Sequence, residues 1–339
     1  MLDLRELPLP LVGAPMAGGP STPALAAAVA EAGGLGFLAA GYRTPEQVAE
    51  QIEQTRALTA RPFGVNLFVP RPSVARADEL ARYREALTDE AARYDTAPGT
   101  PFPDDDHWQA KLELVEAVRP AAVSFTFGCP GREWLSAFAR AGVLTLVTVT
   151  TPAEAATAVA EGAGALVVQG PAAGGHRGVF DPAAEPGSVS LVELLREIRA
   201  GAPAEVPVVA AGGLDTAEAV ARVRALGAVA AQIGTALLLA EQAGTNAVHR
   251  AALRSPEFTE TAVTRAFSGR YARGLVNDFM RRHDRHAPAG YPEVNQLTSP
   301  LRAAAVRAGD PHGTSLWAGT GFRSARPGTA AAILAELTP

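Results

Sequence analysis

The chain of 339 residues contains a single cysteine, Cys129. It therefore cannot form an intramolecular disulfide, and this composition suits a reducing compartment. Neither sign of charge dominates, since 30 lysine and arginine side chains stand against 35 acidic ones, for a net charge of −5. The sequence thus lacks the basic surface that nucleic-acid binding requires, and we expect no nucleic-acid partner.

A long hydrophobic run is also missing. The most apolar stretch, residues 225–240, is interrupted by glycine, glutamine and threonine, and it is shorter than the roughly 20 apolar residues of a membrane-spanning helix. The first six residues carry charges of both signs instead of the apolar core of a signal peptide. We therefore expect a soluble, cytoplasmic protein without a membrane partner.

Short apolar segments alternate along the chain with segments that carry helix-start signals. The first two predicted helices begin at Thr22-Pro23 and Thr44-Pro45, with threonine as the N-cap and proline at the first helical position. Eight βα-like units fit a (β/α)₈ TIM barrel in the α/β class better than an open sheet. Their strands are predicted at 11–15, 35–39, 63–68, 122–126, 145–149, 165–169, 208–211 and 230–233.

Two segments interrupt this alternation. Residues 70–106 hold prolines, charges and one helical pattern at 77–92, and residues 241–300 look like mixed helices and loops. We predict a barrel made of 1–69, 107–240 and 301–339, with Asp106 capping the helix that follows the first insertion. The two insertions would form a smaller, mainly helical substrate or lid domain over the barrel mouth.

The candidate site residues lie at strand exits, because active sites of TIM barrels form at the C-terminal ends of the strands. After the sixth strand, a glycine-rich loop runs from Gln169 to Gly178 and contains His176. Paired glycines allow positive φ and close approach of a ligand, and a histidine can exchange a proton near neutral pH. The loop is either a cofactor loop with a catalytic histidine or an ordinary turn with an exposed histidine. The other strand-exit candidates are Met16, Tyr42, Asn66, Gly128, Gly212, Gly213, Gly234 and Thr235.

Two further glycine loops, 210–213 and 232–235, follow the seventh and eighth strands, and a short helix is predicted at 236–241. Loops in these positions of TIM barrels frequently bind phosphate, and backbone N–H groups at a helix start attract anions. The amides of Asn66 and Gln169 suit the polar edge of a heteroaromatic ring. The alternatives are ordinary βα turns and loop-capping amides.

No metal site is expected. The segment 283–286 holds two histidines, but its neighbouring arginines and the absence of a nearby cysteine or glutamate favour an exposed, charged face. Cys129 at the exit of the fourth strand is interpreted as a small buried thiol rather than a nucleophile.

Taken together, these motifs resemble those of the nitronate monooxygenases, formerly called 2-nitropropane dioxygenases. The resemblance runs in order along nearly the whole chain, through residues 14–19, 66–68, 169–178, 211–213, 232–235, 267–274, 291–295 and 317–319. It implies a TIM barrel that binds FMN without a covalent link and a smaller substrate domain built from the two insertions.

The resemblance also implies roles for single residues. His176 matches the catalytic histidine of the family, either as the base for neutral nitroalkanes or as the positive partner of a bound nitronate. Tyr291 matches a tyrosine near the substrate. Gly213 and residues 232–235 would hold the phosphate of FMN. The full set assigned to FMN is Met16, Asn66, Gln169, Gly174, Gly212, Gly213, Gln232, Ile233, Gly234 and Thr235.

Two positions depart from the family pattern. Ala172, after Pro171, stands where the family usually has glutamate, and Thr320 stands in place of a glutamine. Neither residue is assigned to FMN, so both departures bear on the substrate rather than on the cofactor.

The expected activity is FMN-dependent oxidation of alkyl nitronates by O₂ to a carbonyl compound and nitrite, with propionate 3-nitronate as a candidate substrate. The expected partners are a small nitronate or nitroalkane and O₂; the oligomeric state stays open. One rival is an FMN-dependent enoyl-acyl-carrier-protein reductase that uses NAD(P)H, which is similar around 174–176, although residues 268–317 favour the monooxygenase. The other rival is a barrel that binds flavin or a phosphate ligand without turnover.

Overall fold

The structure is a computed structural model that describes residues 1–338. Its strands, in chain order, are β1 Leu11–Gly13, β2 Gly36–Ala39, β3 Phe63–Phe68, β4 Ala122–Thr126, β5 Leu144–Val149, β6 Ala165–Gln169, β7 Gly175–His176, β8 Val208–Ala211, β9 Ala230–Ile233, β10 Thr261–Thr264 and β11 Ala272–Leu275. Its α-helices are α1 Pro23–Glu31, α2 Pro45–Leu58, α3 Ala77–Ala86, α4 Thr88–Arg93, α5 Trp108–Val118, α6 Arg132–Arg140, α7 Pro152–Glu161, α8 Leu191–Gly201, α9 Ala217–Ala225, α10 Ala247–Arg254, α11 Asp278–His283, α12 Glu293–Arg307 and α13 Ala330–Glu336.

Eight parallel strands form the predicted (β/α)₈ barrel, which is thereby confirmed. Their order is β1-β9-β8-β6-β5-β4-β3-β2. A parallel bridge between Val12 and Leu35 brings the two ends of this sheet together and closes the barrel. Helices lie between successive strands, so the C-terminal ends of all eight strands meet at one mouth.

Alternation along each strand determines which side chains enter the barrel. Val167 and Val209 pack inside with Phe37, whereas Leu166 and Val168 face the surrounding helices. The interior is tightly filled. Polar residues that continue the inward set at the ends of β3, β6 and β9 therefore point into the mouth: Asn66, Gln169 and Gln232.

The predicted helix starts at Thr22 and Thr44 are correct, because both side chains accept a backbone N–H of the first turn. The predicted cap at Asp106 is wrong. Its carboxylate instead accepts the N–H of Tyr42 at 2.9 Å and pairs with the buried Lys111 ammonium at 2.8 Å. Leaving the buried ammonium without a counter-charge would cost more free energy than leaving the helix end uncapped. Accordingly, α5 begins without a side-chain cap.

The two insertions contribute to one apolar cluster outside the barrel. Tyr83 and Leu87 of the first insertion pack there with Phe267, Phe279 and other residues of the second. The second insertion also contains the β10–β11 hairpin, where the sequence predicted only helices and loops. β11 pairs antiparallel with β7, which extends the hairpin to the loop after β6. The predicted boundary between residues 300 and 301 falls inside α12.

His283 is buried, so the expectation that 283–286 is an exposed face is wrong for this residue. Its Nε2 lies 3.3 Å from Glu90 Oε1, to which Arg282 Nε donates at 2.6 Å. Burial by itself would raise the pKa of Glu90, but hydrogen bonds from His283 and Arg282 lower it below its ordinary value. This buried ion pair joins α4 of the first insertion to α11 of the second.

Among residues 1–338, no helix combines the length and the hydropathy needed to cross a membrane.

Candidate active site

A cavity of about 650 Å³ opens over the C-terminal ends of the barrel strands. The loops after β1, β3, β6, β8 and β9 form its floor, and α12 with the segment around Trp317 covers it. Eleven residues predicted from the sequence line this one cavity, and they come from segments far apart in the chain: Met16, Tyr42, Asn66, Gln169, Gly174, His176, Gly212, Gly213, Gln232, Gly234 and Thr235.

Three predicted residues lie elsewhere. Gly128 is not among the residues that line the cavity. The side chain of Ile233 points to the opposite face of β9 and packs in the helix layer, so only its backbone is at the mouth. Tyr291 does not line the cavity; its ring lies behind His176, at 6.4 Å between ring centroids, and 5.9 Å from Phe127. Tyr291 faces a small outer groove together with Tyr42.

His176 is held at the cavity wall by strand pairing and by a serine. It pairs with Ala272 of β11, and its Nε2 lies 2.8 Å from Ser268 Oγ. The Ser268 hydroxyl donates to the carbonyl of Arg270 at 3.2 Å, so it can accept from His176. In the arrangement in which the Ser268 hydroxyl donates to that carbonyl, the imidazole proton lies on Nε2 and Nδ1 is the unprotonated nitrogen.

The charge state of His176 follows from its surroundings. Burial and then the positive charges of Arg270 and Arg302 lower the pKa of His176 to about 3. The rings of Phe127 and Trp317, each at 5.6 Å between centroids, provide the apolar contact. The imidazole is therefore neutral at pH 7, so it has a lone pair that can accept a proton and carries no positive charge.

The amide of Gln169 fixes the loop that carries His176. Its nitrogen donates to the His176 carbonyl at 3.0 Å, and its oxygen accepts from the Gly178 N–H at 2.9 Å. Both ends of this side chain are thus engaged within the protein. The structure therefore assigns Gln169 a positioning contact that the sequence did not predict.

The amide of Asn66 differs from that of Gln169, because only its nitrogen is engaged within residues 1–338. Its amide nitrogen donates to Ser124 Oγ at 2.9 Å and to Thr126 Oγ1 at 3.1 Å. Within residues 1–338 its amide oxygen has no donor, and the residue lines the cavity although it is only 2% exposed. An unpartnered acceptor on a cavity-lining residue suits a ligand with a ring N–H.

Glycines form the opposite end of the cavity. Gly212 and Gly213 have φ of +102° and +73°, a backbone that L side chains rarely adopt. Gly234 precedes a 3₁₀ helix at Thr235–Leu239, where the sequence predicted a short helix at 236–241. The Thr235 hydroxyl accepts the N–H of Gly319 at 2.9 Å. This end therefore presents bare backbone, as an anion such as phosphate requires.

Sequence reasoning missed several residues around His176. Ser268 and Arg270 belong to a motif that was noted without a role, so the motif was the available signal. Phe127, with φ of +77°, and Arg302 carried no local signal. Cys129 is partly exposed and lies outside the cavity, and burial raises the pKa of its thiol. In the described residues, no group of three or more histidine, cysteine or acidic side chains could hold a metal ion.

Comparisons with known proteins show which family the chain resembles. A family model described as nitronate monooxygenase matches residues 4–339. A nitronate monooxygenase from Pseudomonas aeruginosa is 39% identical over 340 residues, which cover 97% of this chain and 95% of the relative. The crystal structure of a nitroalkane oxidase from Streptomyces ansochromogenes superposes with a TM-score of 0.94 at 47% identity, covering 98% of this chain and 96% of that one. FabK from Thermotoga maritima shares the fold, with a TM-score of 0.76 at 24% identity over 99% of this chain and 93% of that one.

Proposed function

The chain belongs to the nitronate monooxygenase family, and we propose that it uses FMN and O₂ to oxidise alkyl nitronates to a carbonyl compound and nitrite. The family makes it a flavin-dependent oxidoreductase. The observation that carries the finer proposal is the convergence of three glycine loops, Asn66 and His176 on one cavity.

The residues at the cavity fit FMN. The Asn66 amide oxygen is an unpartnered acceptor for a ring N–H, and the left-handed glycines 212 and 213 expose backbone for a phosphate. When bound, the flavin supplies the redox chemistry. We propose that the FMN-binding set is Met16, Asn66, Gln169, Gly174, Gly212, Gly213, Gln232, Gly234 and Thr235, with Ile233 contributing through its backbone.

We propose that His176 acts as a neutral base. Because burial keeps the imidazole uncharged, its unprotonated Nδ1 is available to accept the α-proton of a neutral nitroalkane. A nitronate has already lost this proton and does not need the base. Ser268 holds the opposite nitrogen and thereby keeps the ring in the required tautomer.

We further propose that residues 70–106 and 241–300 form the substrate domain, with Tyr291 near the substrate. The shared apolar cluster of the two insertions supports this division. The contact between the Tyr291 and His176 rings supports a role for Tyr291 in shaping the site behind the histidine.

The test is oxygen uptake and nitrite release by the purified protein with propionate 3-nitronate, in air and without a nicotinamide. Uptake with stoichiometric nitrite is expected. A protein that retains flavin but shows no uptake, and whose flavin is bleached by NADH, would instead support the reductase. A flavin-bound protein inert to both donors would support the binding protein without turnover.

A further inference from the structure

One face of α12 presents polar side chains to the cavity. Asn295, Ser299 and Arg302 are spaced by four and three residues, so they lie on the same side of the helix, and all three line the cavity. Ala303 and Val306 continue this face. Arg302 is therefore placed in the cavity cover by the helix itself.

The guanidinium of Arg302 is fixed by neighbouring side chains. Its Nη2 donates to Asn295 Oδ1 at 2.7 Å and to the Asn295 carbonyl at 3.2 Å, and its Nε donates to Thr298 Oγ1 at 3.1 Å. Thr298 is fully buried and bonds in turn to the Phe267 carbonyl. Nη1 is left without a partner among residues 1–338, so the two hydrogens on this nitrogen are available to a ligand.

Arg302 also has no counter-ion. No carboxylate of the described chain lies within 4.0 Å of it, whereas Arg282, in the second insertion, pairs with Glu90 at 2.6 Å. Burial lowers the pKa of Arg302, and the side chains that oppose this effect are the tyrosines Tyr42, Tyr83 and Tyr291. A half-buried cation without an opposite charge is favourably placed to bind an anionic ligand.

Arg302 lies close enough to His176 to influence its charge state. Its positive charge acts on His176 and contributes to keeping that imidazole neutral. No other lysine or arginine lines the cavity within residues 1–338. With His176 neutral in this structure, Arg302 is the cavity-lining side chain that carries a positive charge.

We propose that Arg302 is the anion-binding residue for the substrate: its Nη1 donates charge-assisted hydrogen bonds to a planar oxyanion of the nitronate substrate, and Asn295 positions it. This inference rests on the proposed function for the identity of the substrate. A nitronate group and a carboxylate share this planar chemistry, with two oxygens on one centre, so either group of the substrate can be the one bound.

The experiment uses the flavin-loaded full chain and the variants Arg302→Gln and Arg302→Lys. Arg307, exposed near the end of the same helix, provides the control Arg307→Gln. Nitrate, an inert planar oxyanion, is titrated by calorimetry, and KM and kcat are measured for ethyl nitronate and propionate 3-nitronate. For Arg302→Gln we expect at least a tenfold weaker nitrate affinity and a rise of similar size in KM, with kcat changed less.

The two substrates identify the bound group. A rise in KM for both nitronates assigns the nitronate group, and a rise confined to propionate 3-nitronate assigns its carboxylate. Arg302→Lys, which keeps the charge, should recover part of the nitrate affinity. Unchanged nitrate affinity in Arg302→Gln, or an equal loss in Arg307→Gln, overturns the inference. If the wild-type protein oxidises no nitronate but Arg302→Gln still loses nitrate affinity, the proposed function fails and the anion site stands.

Discussion

At the scale of single residues, His176 combines a neutral imidazole with a ring position held by a hydrogen bond. Ser268 engages Nε2, and burial with two nearby arginines keeps the ring neutral. The resemblance allowed His176 to be the positive partner of a bound nitronate. In this structure the positive charges near the site belong to Arg270 and Arg302 instead. His176 is therefore proposed for proton abstraction and not for anion binding, and two predictions test this role.

His176→Asn should lose activity on neutral nitroalkanes while it retains the flavin. General-base catalysis typically contributes about 10²–10⁴-fold, so we expect kcat/KM for nitroethane to fall by at least about 100-fold. Ethyl nitronate needs no proton abstraction and should be affected much less. His286→Asn, at an exposed histidine, is the matched control. Unchanged nitroethane turnover in His176→Asn contradicts the assignment.

The pH dependence of nitroethane oxidation provides a second test. A base whose pKa is lowered to about 3 stays unprotonated as the pH falls, so its contribution is lost only near that value. We therefore expect kcat/KM for freshly dissolved, neutral nitroethane to stay level from pH 8 to pH 5. A decline with an apparent pKa near 6.5 would show that His176 titrates like an unperturbed histidine.

At the scale of elements, the loop between β6 and β7 depends on close backbone contact with the segment 317–319. A Cβ on Gly174 would lie 2.4 Å from the Gly319 nitrogen and 2.5 Å from the Ala318 carbonyl carbon. Backbone atoms cannot yield as a flexible side chain does. The contact explains why a glycine is needed at this point of the cavity wall.

Gly174→Ala should consequently destabilise the protein and weaken flavin retention. Overpacking of a filled site costs about 1–3 kcal/mol, measurable as a lower denaturation midpoint, with flavin release followed by fluorescence. Gly187→Ala is the control, because nothing lies within 4 Å of the Cβ it would add. Equal stability and equal flavin content in the two variants would refute this account of the loop.

At the scale of the whole molecule, the two insertions are joined by the buried Glu90. This carboxylate accepts from Arg282 and faces His283, 192 and 193 positions later in the chain. The ion pair between Glu90 and Arg282 thus connects α4 to α11, and both helices contribute residues to the apolar cluster.

Glu90→Ala should loosen this unit before the barrel unfolds. Removing one partner of a buried ion pair costs about 3–5 kcal/mol, and we expect the lower end because Arg282 is partly exposed. Hydrogen exchange should rise in α4 and α11 and stay unchanged in β4 to β6. The control Glu53→Ala removes an exposed pair with Arg56 and should change stability by less than about 1 kcal/mol. An equal rise in hydrogen exchange in the insertions and in the barrel strands would contradict the view that this ion pair stabilises the insertions separately from the barrel.

The sequence by itself determined the barrel and most of the cavity wall. Helix caps such as Thr44 and apolar strands such as 63–68 are local signals, and parallel βα topology brings every strand exit to one mouth. Asn66, Gln169 and the glycine loops could therefore be predicted together without knowing any contact.

Only the tertiary structure decided the pairing of β7 with β11, the burial of His283 against Glu90 and the position of Arg302. A two-residue strand has no periodicity to detect, and its partner lies about 100 residues later. The neutral state of His176 likewise depends on arginines from distant segments, because a pKa is set by burial and by charges in space rather than by neighbours in sequence.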